Sequence, residues 1–431
     1  MTTDTLQNTL TEGGLDPTFG NNGKITLITV NYHNARGRYI VEGPDNALYV
    51  AGKFNYLQTP DFPAIARVLG NGQADLGFGD LGVISIRDAH NFNIRKPIFS
   101  VQASPEQTKI LICAVSSDQI AMARFDMNGR PDQSFGNNGV VRLRVPVNPS
   151  MSDQEELQTS RASDETGPCI EHNGKIYVIN RVFMPIWIAN VAVLCRLNGD
   201  GSLDTSFNGT GYVPIANKHW GNTQIMDMIV KNGKITLCGA LHIAEGAQNA
   251  LVVRLNEDGS FDNEFAEKGW ATFEGTDIRF ERLIEDSTDR ILVAGYGQKD
   301  TSRSGLLACL TNEGKLAPDF NRGALLFENL GGHSFEFSGV AKAADKFIVT
   351  GSLVLPDAAS GFLVARYMTD GKLDLNFGDG NGWTYTPIAG NRAEAQNMSL
   401  QKDGKILVVG NQIDGQGMLR TLIYRYLNGI Q

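Results

Sequence analysis

Gly371-Lys372-Leu373-Asp374-Leu375-Asn376-Phe377-Gly378-Asp379-Gly380-Asn381-Gly382 is the cleanest copy of a pattern, Gly-x-Leu-Asp-x-x-Phe-Gly-x-x-Gly, from which the architecture of this 431-residue chain can be built outward. Seven copies, with variations, begin at Gly13, Gly72, Gly129, Gly201, Gly259, Gly314 and Gly371. The aromatic survives in all of them, as Phe19, Phe78, Phe135, Phe207, Phe265, Phe320 and Phe377, at spacings of 59, 57, 72, 58, 55 and 57 residues. A period of this size marks one supersecondary unit that buries its apolar face only against neighbouring copies.

Between copies the chain reads as short strands. Lys109-Ile110-Leu111-Ile112-Cys113-Ala114, Lys234-Ile235-Thr236-Leu237-Cys238-Gly239, Arg290-Ile291-Leu292-Val293-Ala294-Gly295 and Lys405-Ile406-Leu407-Val408-Val409-Gly410 follow turn residues. Such β-rich runs bounded by turns are strand signals. A third strand then ends in arginine, as in Leu251-Val252-Val253-Arg254 and Leu363-Val364-Ala365-Arg366. Four short strands per unit, repeated radially, predict an all-β, seven-bladed β-propeller of four-stranded blades. The first strand, residues 24–30, is expected to pair beside residues 421–427 and close the ring, hiding two sheet edges. The expected organisation is a flexible segment over residues 1–12, then a single propeller over 13–431.

The composition fits a packed, turn-rich protein: 42% of residues are apolar, and 48 are glycine. With 38 basic and 47 acidic side chains the net charge is −9, which argues against nucleic acid, whose binding needs a cationic surface. No run reaches the roughly 18–20 apolar residues of a membrane helix, so no membrane insertion is expected. The start, Met1-Thr2-Thr3-Asp4-Thr5-Leu6, lacks a charged and then an apolar segment, so the expected location is cytoplasmic, or exported without a recognisable signal peptide. Five cysteines without CxxC spacing read as buried thiols.

The Leu-Asp-x-x-Phe-Gly-x-x-Gly signature, with Asp403-Gly404-Lys405-Ile406-Leu407-Val408-Val409-Gly410 and Phe362-Leu363-Val364-Ala365-Arg366, resembles the bacterial delta-60 repeat family over roughly residues 13–429. The resemblance implies a propeller and supplies no catalytic residues to carry over.

Recurring charges invite a structural reading. Arg67, Arg124, Arg196, Arg254, Arg366 and Arg425 end third strands, and Asp75, Asp132, Asp204, Asp262, Asp374 and Asp16 sit in the motifs. In the unit that begins at Gly314 both partners are replaced together, by Cys309 and Ala317. Losing one member strands a charge, whereas losing both is nearly neutral, so the residues are expected to form scaffold pairs.

Function is expected on the face opposite the motif turns, where the loops from second to third strand and the crossings between blades vary. Candidate binding residues there are His33, His90, His219, Trp220, His242, Arg279, His333 and Arg392, with Glu281 and Glu336 nearby. No two histidines have close ligand spacing, and no metal or other cofactor is expected. Two further features point to a protein partner: an acidic insertion at about 149–167, and the apolar loop Phe183-Met184-Pro185-Ile186-Trp187-Ile188. The expected function is therefore non-catalytic binding or scaffolding of a macromolecular partner. A lectin-like glycan-binding propeller is the first alternative. A hydrolase or lyase with a His/Arg/Glu site at the channel mouth is the second.

Overall fold

The computed structural model describes residues 11–27, 32–56, 60–86, 89, 92–100, 108–116, 119–145, 167–184, 189–216, 222–244, 247–286, 288–299, 302–355, 360–388 and 391–429. Among them the strands form seven antiparallel sheets arranged as the blades of a propeller. We number the blades in chain order: 32–85, 93–144, 169–214, 223–273, 276–328, 334–388 and 391–426. Blade 7 takes its outermost strand from the other end of the chain, Lys24–Leu27, in the register Lys24↔Tyr424 to Leu27↔Thr421. Residues 28–30 of the expected closing strand lie outside the described residues, as do residues 1–10. Glu12 is placed and pairs with Arg366.

The second and third strands of each blade are flanked by other blades on both faces, which is why they read as continuous apolar runs rather than as alternating ones. Val50, Ile112, Val293 and Val408 are all fully buried in this layer. Blade 2 departs from the plain repeat. Its inner strand is split into Asn93–Ile94 and Ile98–Ser100 around Pro97, which has no N–H to give to a ladder. The five cysteines are free and buried in the blades.

Each motif is a tight turn held from below by its phenylalanine. Phe19, Phe78, Phe135, Phe207, Phe265, Phe320 and Phe377 are no more than 1% exposed. The residue after each adopts positive φ, as at Gly378 (64°), where an added Cβ would lie 2.1 Å from the Trp383 carbonyl oxygen. Three copies hold the same conformation without glycine, at Asn208, Ala266 and Asn321. Asparagine tolerates it at small cost, and Ala266 bears the larger steric penalty.

The arginine–aspartate pairs form within each unit: Arg67–Asp75 at 3.1 Å, Arg124–Asp132 at 2.8 Å, Arg196–Asp204 at 2.8 Å, Arg254–Asp262 at 2.7 Å, Arg366–Asp374 at 2.8 Å and Arg425–Asp16 at 2.9 Å. The guanidinium also lies over the motif phenylalanine, for example 4.4 Å from the Phe265 centroid. The same arginines reach on to the next blade, a role not legible in one repeat. Arg196 donates to the Glu257 carbonyl at 2.6 Å, Arg124 to the Gly199 carbonyl at 3.1 Å and Arg254 to Asn312 Oδ1 at 2.6 Å. Each pair therefore pins a turn and ties two blades. Where Cys309 and Ala317 remove it, Arg290 takes over by pairing with Asp286 at 2.8 Å and Asp319 at 2.6 Å.

These contacts set the acid response. Burial pushes the carboxyls of Asp16, Asp132, Asp204 and Asp262 up, but hydrogen bonds and neighbouring cations outweigh it and leave them below the usual range. Their contribution is present above the ordinary carboxylate pKa and lost as pH falls through the depressed values. Asp227, Glu328 and Glu336 are pushed up by burial and have the opposite sign, costing stability as pH rises through their raised values. Urea midpoints are expected to hold or rise slightly from pH 7 to about 5 and to fall steeply below about pH 4. A midpoint that keeps rising down to pH 3 would contradict this.

Candidate functional site

Several candidates named from the sequence lie outside the described residues: His90, His219, Trp220 and Trp187, together with 149–166 of the acidic insertion. His33 and Arg392 are placed as backbone in the strands Tyr32–Glu42 and Asn391–Leu400. Of the rest, His242 meets Gln224 through Nε2 at 3.1 Å, and half-buried His333 precedes the inner strand of blade 6, Ser334–Ala343. No group of three His, Cys, Asp or Glu arranged for a metal occurs among the described residues. Arg279 does enter a constellation, with Glu281 and Glu336 and with three residues the sequence reading did not select: Asp277, Tyr296 and Arg303.

The inner strand of blade 5, Thr276–Glu285, runs from the variable face toward the motif face and breaks register twice, between Thr276 and Arg279 and between Phe280 and Arg282. Such bulges re-aim side chains. At the first break Asp277 adopts φ 48°. At the second, Glu281 is left out of the ladder, and its carboxylate takes Arg279 Nε at 2.5 Å. On the neighbouring strand Tyr296 lies opposite Arg279, and two guanidiniums sit over its ring: Arg279 at 5.2 Å and Arg303 at 4.3 Å from the centroid. Arg303 lies beside the hairpin tip of blade 5 and reaches Glu336 of blade 6 at 3.1 Å and Asp277 at 3.6 Å. Asp277 in turn accepts Gln248 Nε2 of blade 4 at 2.8 Å. One polar chain thus crosses three blades at the mouth of the ring.

Beneath it Arg282 spans the axis, donating to the Glu281 carbonyl at 2.7 Å and to the Gln396 carbonyl of blade 7 at 3.2 Å. Asp227 of blade 4 accepts from the backbone N–H of Met228 at 3.0 Å and of Leu283 at 3.1 Å. The mouth therefore has a hydrogen-bonded floor.

Other seams between blades are closed more simply. Between blades 7 and 1, Thr421 Oγ1 donates to the Ala35 carbonyl at 2.6 Å and accepts the Gly37 N–H at 2.7 Å. Between blades 6 and 7, Ser352 and Ser360 hydroxyls accept the Ala395 and Ala393 N–H groups at 2.8 and 2.5 Å. The seam between blades 5 and 6 carries the Arg303–Glu336 pair at 3.1 Å, and the seam between blades 4 and 5 the Lys231–Glu285 pair at 2.8 Å. Burial pushes the Glu336 carboxyl up, Glu281 adds to this, and Arg303 and Arg279 pull the other way without cancelling it.

The fold and its repeats define a β-propeller repeat protein. A family described as "Domain of unknown function (DUF5122) beta-propeller" matches residues 43–78, 188–207 and 231–265, which run from turns or strands into motifs. No curated protein matches the chain. Among solved structures, polysaccharide lyase Uly1 is similar at 10% identity and a TM-score of 0.49, covering 94% of this chain and 98% of that one. The subtype N11 neuraminidase-like protein of A/flat-faced bat/Peru/033/2010 (H18N11) gives 11% identity and a TM-score of 0.39, with 96% of each chain covered. The β-propeller domain of the Trilobed protease from Pyrococcus furiosus gives 9% identity and 0.44, covering 92% of this chain and 94% of that one. These identities carry no activity across.

Proposed function

We propose that this protein is a delta-60-type propeller serving as a non-catalytic binding platform, with its ligand surface on the variable face at the mouth between blades 5 and 6. The observation that carries this reading is the constellation of Asp277, Arg279, Glu281, Tyr296, Arg303 and Glu336, which gathers charged groups and an aromatic ring from four strands at the mouth of the ring. A carboxyl raised by burial beside two arginines, on loops that vary between blades, supports a ligand site there. Exposed aliphatic side chains also stand at hairpin tips of this face, Ile243 (54%), Val354 (46%) and Ile413 (39%), on blades 4, 6 and 7. They favour a macromolecule over a small solute. A glycan would find no open stacking platform at Tyr296, since guanidiniums already sit over its ring.

The test is a glycan array and a displayed random-peptide library screened against the intact protein, with every hit mapped by hydrogen exchange. Hits are expected to protect amides in 242–249, 296–305 and 333–337. Protection confined to the motif turns, or chemical turnover of a hit, would replace this reading.

A further inference from the structure

The inner strands share an irregularity that recurs from blade to blade. Their pairing slips by one residue at Gly37/Tyr39, Ile225/Asp227, Phe280/Arg282, Phe337/Gly339 and Ala395/Asn397. Each slip faces a second-strand glycine, Gly52, Gly239, Gly295, Gly351 or Gly410, where an added Cβ would collide with an inner-strand carbonyl oxygen. Glycine within a strand permits this close approach and the bulge that goes with it. In blade 2 the inner strand breaks at the same height, over Arg95-Lys96-Pro97, just after Ile94 pairs with Ala114. Bulges re-aim side chains, and here they do so at one level around the axis.

Side chains at this level meet across the ring. Arg282 of blade 5 reaches the Gln396 carbonyl of blade 7. Lys96 of blade 2 is close enough to Asp227 of blade 4 and Arg282 of blade 5 to feel both charges, although neither blade is its neighbour. Only a side chain extended into the axis can do so. Solvent reaches Lys96, yet the protein around it pulls its ammonium below the usual lysine range, as expected of a group standing in a channel. The charges at this level do not cancel. Arg38, Arg95, Lys96 and Arg282 stand against Asp227 and Glu281, leaving two positive charges among the described residues. The mouth above is balanced, with Arg36, Arg279 and Arg303 against Asp277, Glu336 and Glu394.

Two buried donors at the bulges, Arg282 Nε and Ser338 Oγ, have no hydrogen-bond partner among the described residues. Buried polar atoms in native proteins are satisfied, by water or a ligand where the chain itself does not do so. We propose that the axial channel, at the level of these bulges, holds the phosphoryl group of a small solute against Lys96, Arg282 and Arg38. A doubly charged oxyanion answers both the charge count and the waiting donors, and the protein walls strengthen the attraction by excluding water. A cation or an apolar group would leave both unmet. The inference goes beyond the platform reading and stands whether or not a macromolecule binds at the mouth.

The experiment is isothermal titration calorimetry on the full chain at about pH 7.5, where a phosphoryl group is doubly charged. Inorganic phosphate and glucose 6-phosphate are the probes, and glucose is the uncharged control. A phosphate probe is expected to bind saturably and glucose not. Tighter binding of inorganic phosphate would identify a free anion, and tighter binding of glucose 6-phosphate a phosphorylated solute whose remainder lies toward the mouth. Lys96→Gln is expected to weaken binding about tenfold or more. It replaces a disfavoured charge with a neutral group, so its thermal midpoint is expected to hold. Lys372→Gln, at an exposed lysine of a motif turn, is expected to leave binding unchanged. No saturable binding of either phosphate at millimolar concentration, equal affinity in Lys96→Gln and the parent, or an equal loss in Lys372→Gln would each overturn the inference. If peptide hits map to the mouth while both phosphates fail, the inference falls and the platform reading stands.

Discussion

A variant lacking residues 1–27 is expected to lose its monomeric, cooperatively unfolding state. The deletion removes the outermost strand of blade 7 and uncovers the edge of Leu419–Tyr426, a ready template for pairing with another chain. It removes Phe19, which is fully buried, at a cost of about 3–5 kcal/mol. It also removes Asp16, leaving Arg425 (8% exposed) without its carboxylate at 2.9 Å, which costs about as much again. Together these losses approach the roughly 5–15 kcal/mol that hold a typical domain together. Size-exclusion chromatography should show oligomers or aggregate, and a synthetic peptide covering residues 11–27 should restore the monomer. A monomer with an unchanged melting midpoint would show that the N-terminal strand does not hold the ring.

The second large effect is expected from Asp262→Ala, which should destabilise the protein by about 3–5 kcal/mol because it leaves the buried Arg254 guanidinium without its ion-pair partner. Arg254 and Asp262 are only 5% and 2% exposed, so solvent screens the pair weakly. The reverse change, Arg254→Ala, is expected to cost less, since Lys234 still reaches Asp262 at 3.0 Å. The double variant should lose clearly less than the sum of the two, as the natural Cys309 and Ala317 exchange suggests. Urea denaturation of the four proteins measures the coupling. Additive losses would mean that the two side chains act independently.

Much of this scaffold was legible along the chain because its determinants are local. Gly378 and its counterparts mark positive-φ turns within a few residues of the phenylalanine that plugs them. In five of the six pairs the arginine and aspartate lie eight residues apart, as with Arg254 and Asp262, and repetition exposes them; Arg425 meets Asp16 across the ring closure. The latches to the next blade escaped notice because Arg196 and Glu257 are 61 residues apart and the acceptor is a backbone carbonyl, which leaves no mark in side-chain pattern. Arg290 likewise reads as an ordinary strand start, since its partner Asp319 lies 29 residues away in a motif turn.

The candidate site divides along the same physical line. Arg279, Glu281 and Glu336 could be placed on the variable face from strand order alone, since alternation of strand direction fixes which loops share a face. Their convergence with Asp277, Tyr296 and Arg303 required the ring itself. Those side chains come from three strands of blade 5 and the inner strand of blade 6, and the bulges that aim them are irregularities in pairing, not in composition. The histidines attract attention by their chemistry, yet His242 meets Gln224 within blade 4 and His333 precedes the inner strand of blade 6. Repeat spacing and turn chemistry therefore specify the blades, because each is decided within a short stretch of backbone. Which charges share a cleft depends on how neighbouring wedges pack around the axis, where residues distant in sequence are brought within hydrogen-bonding distance.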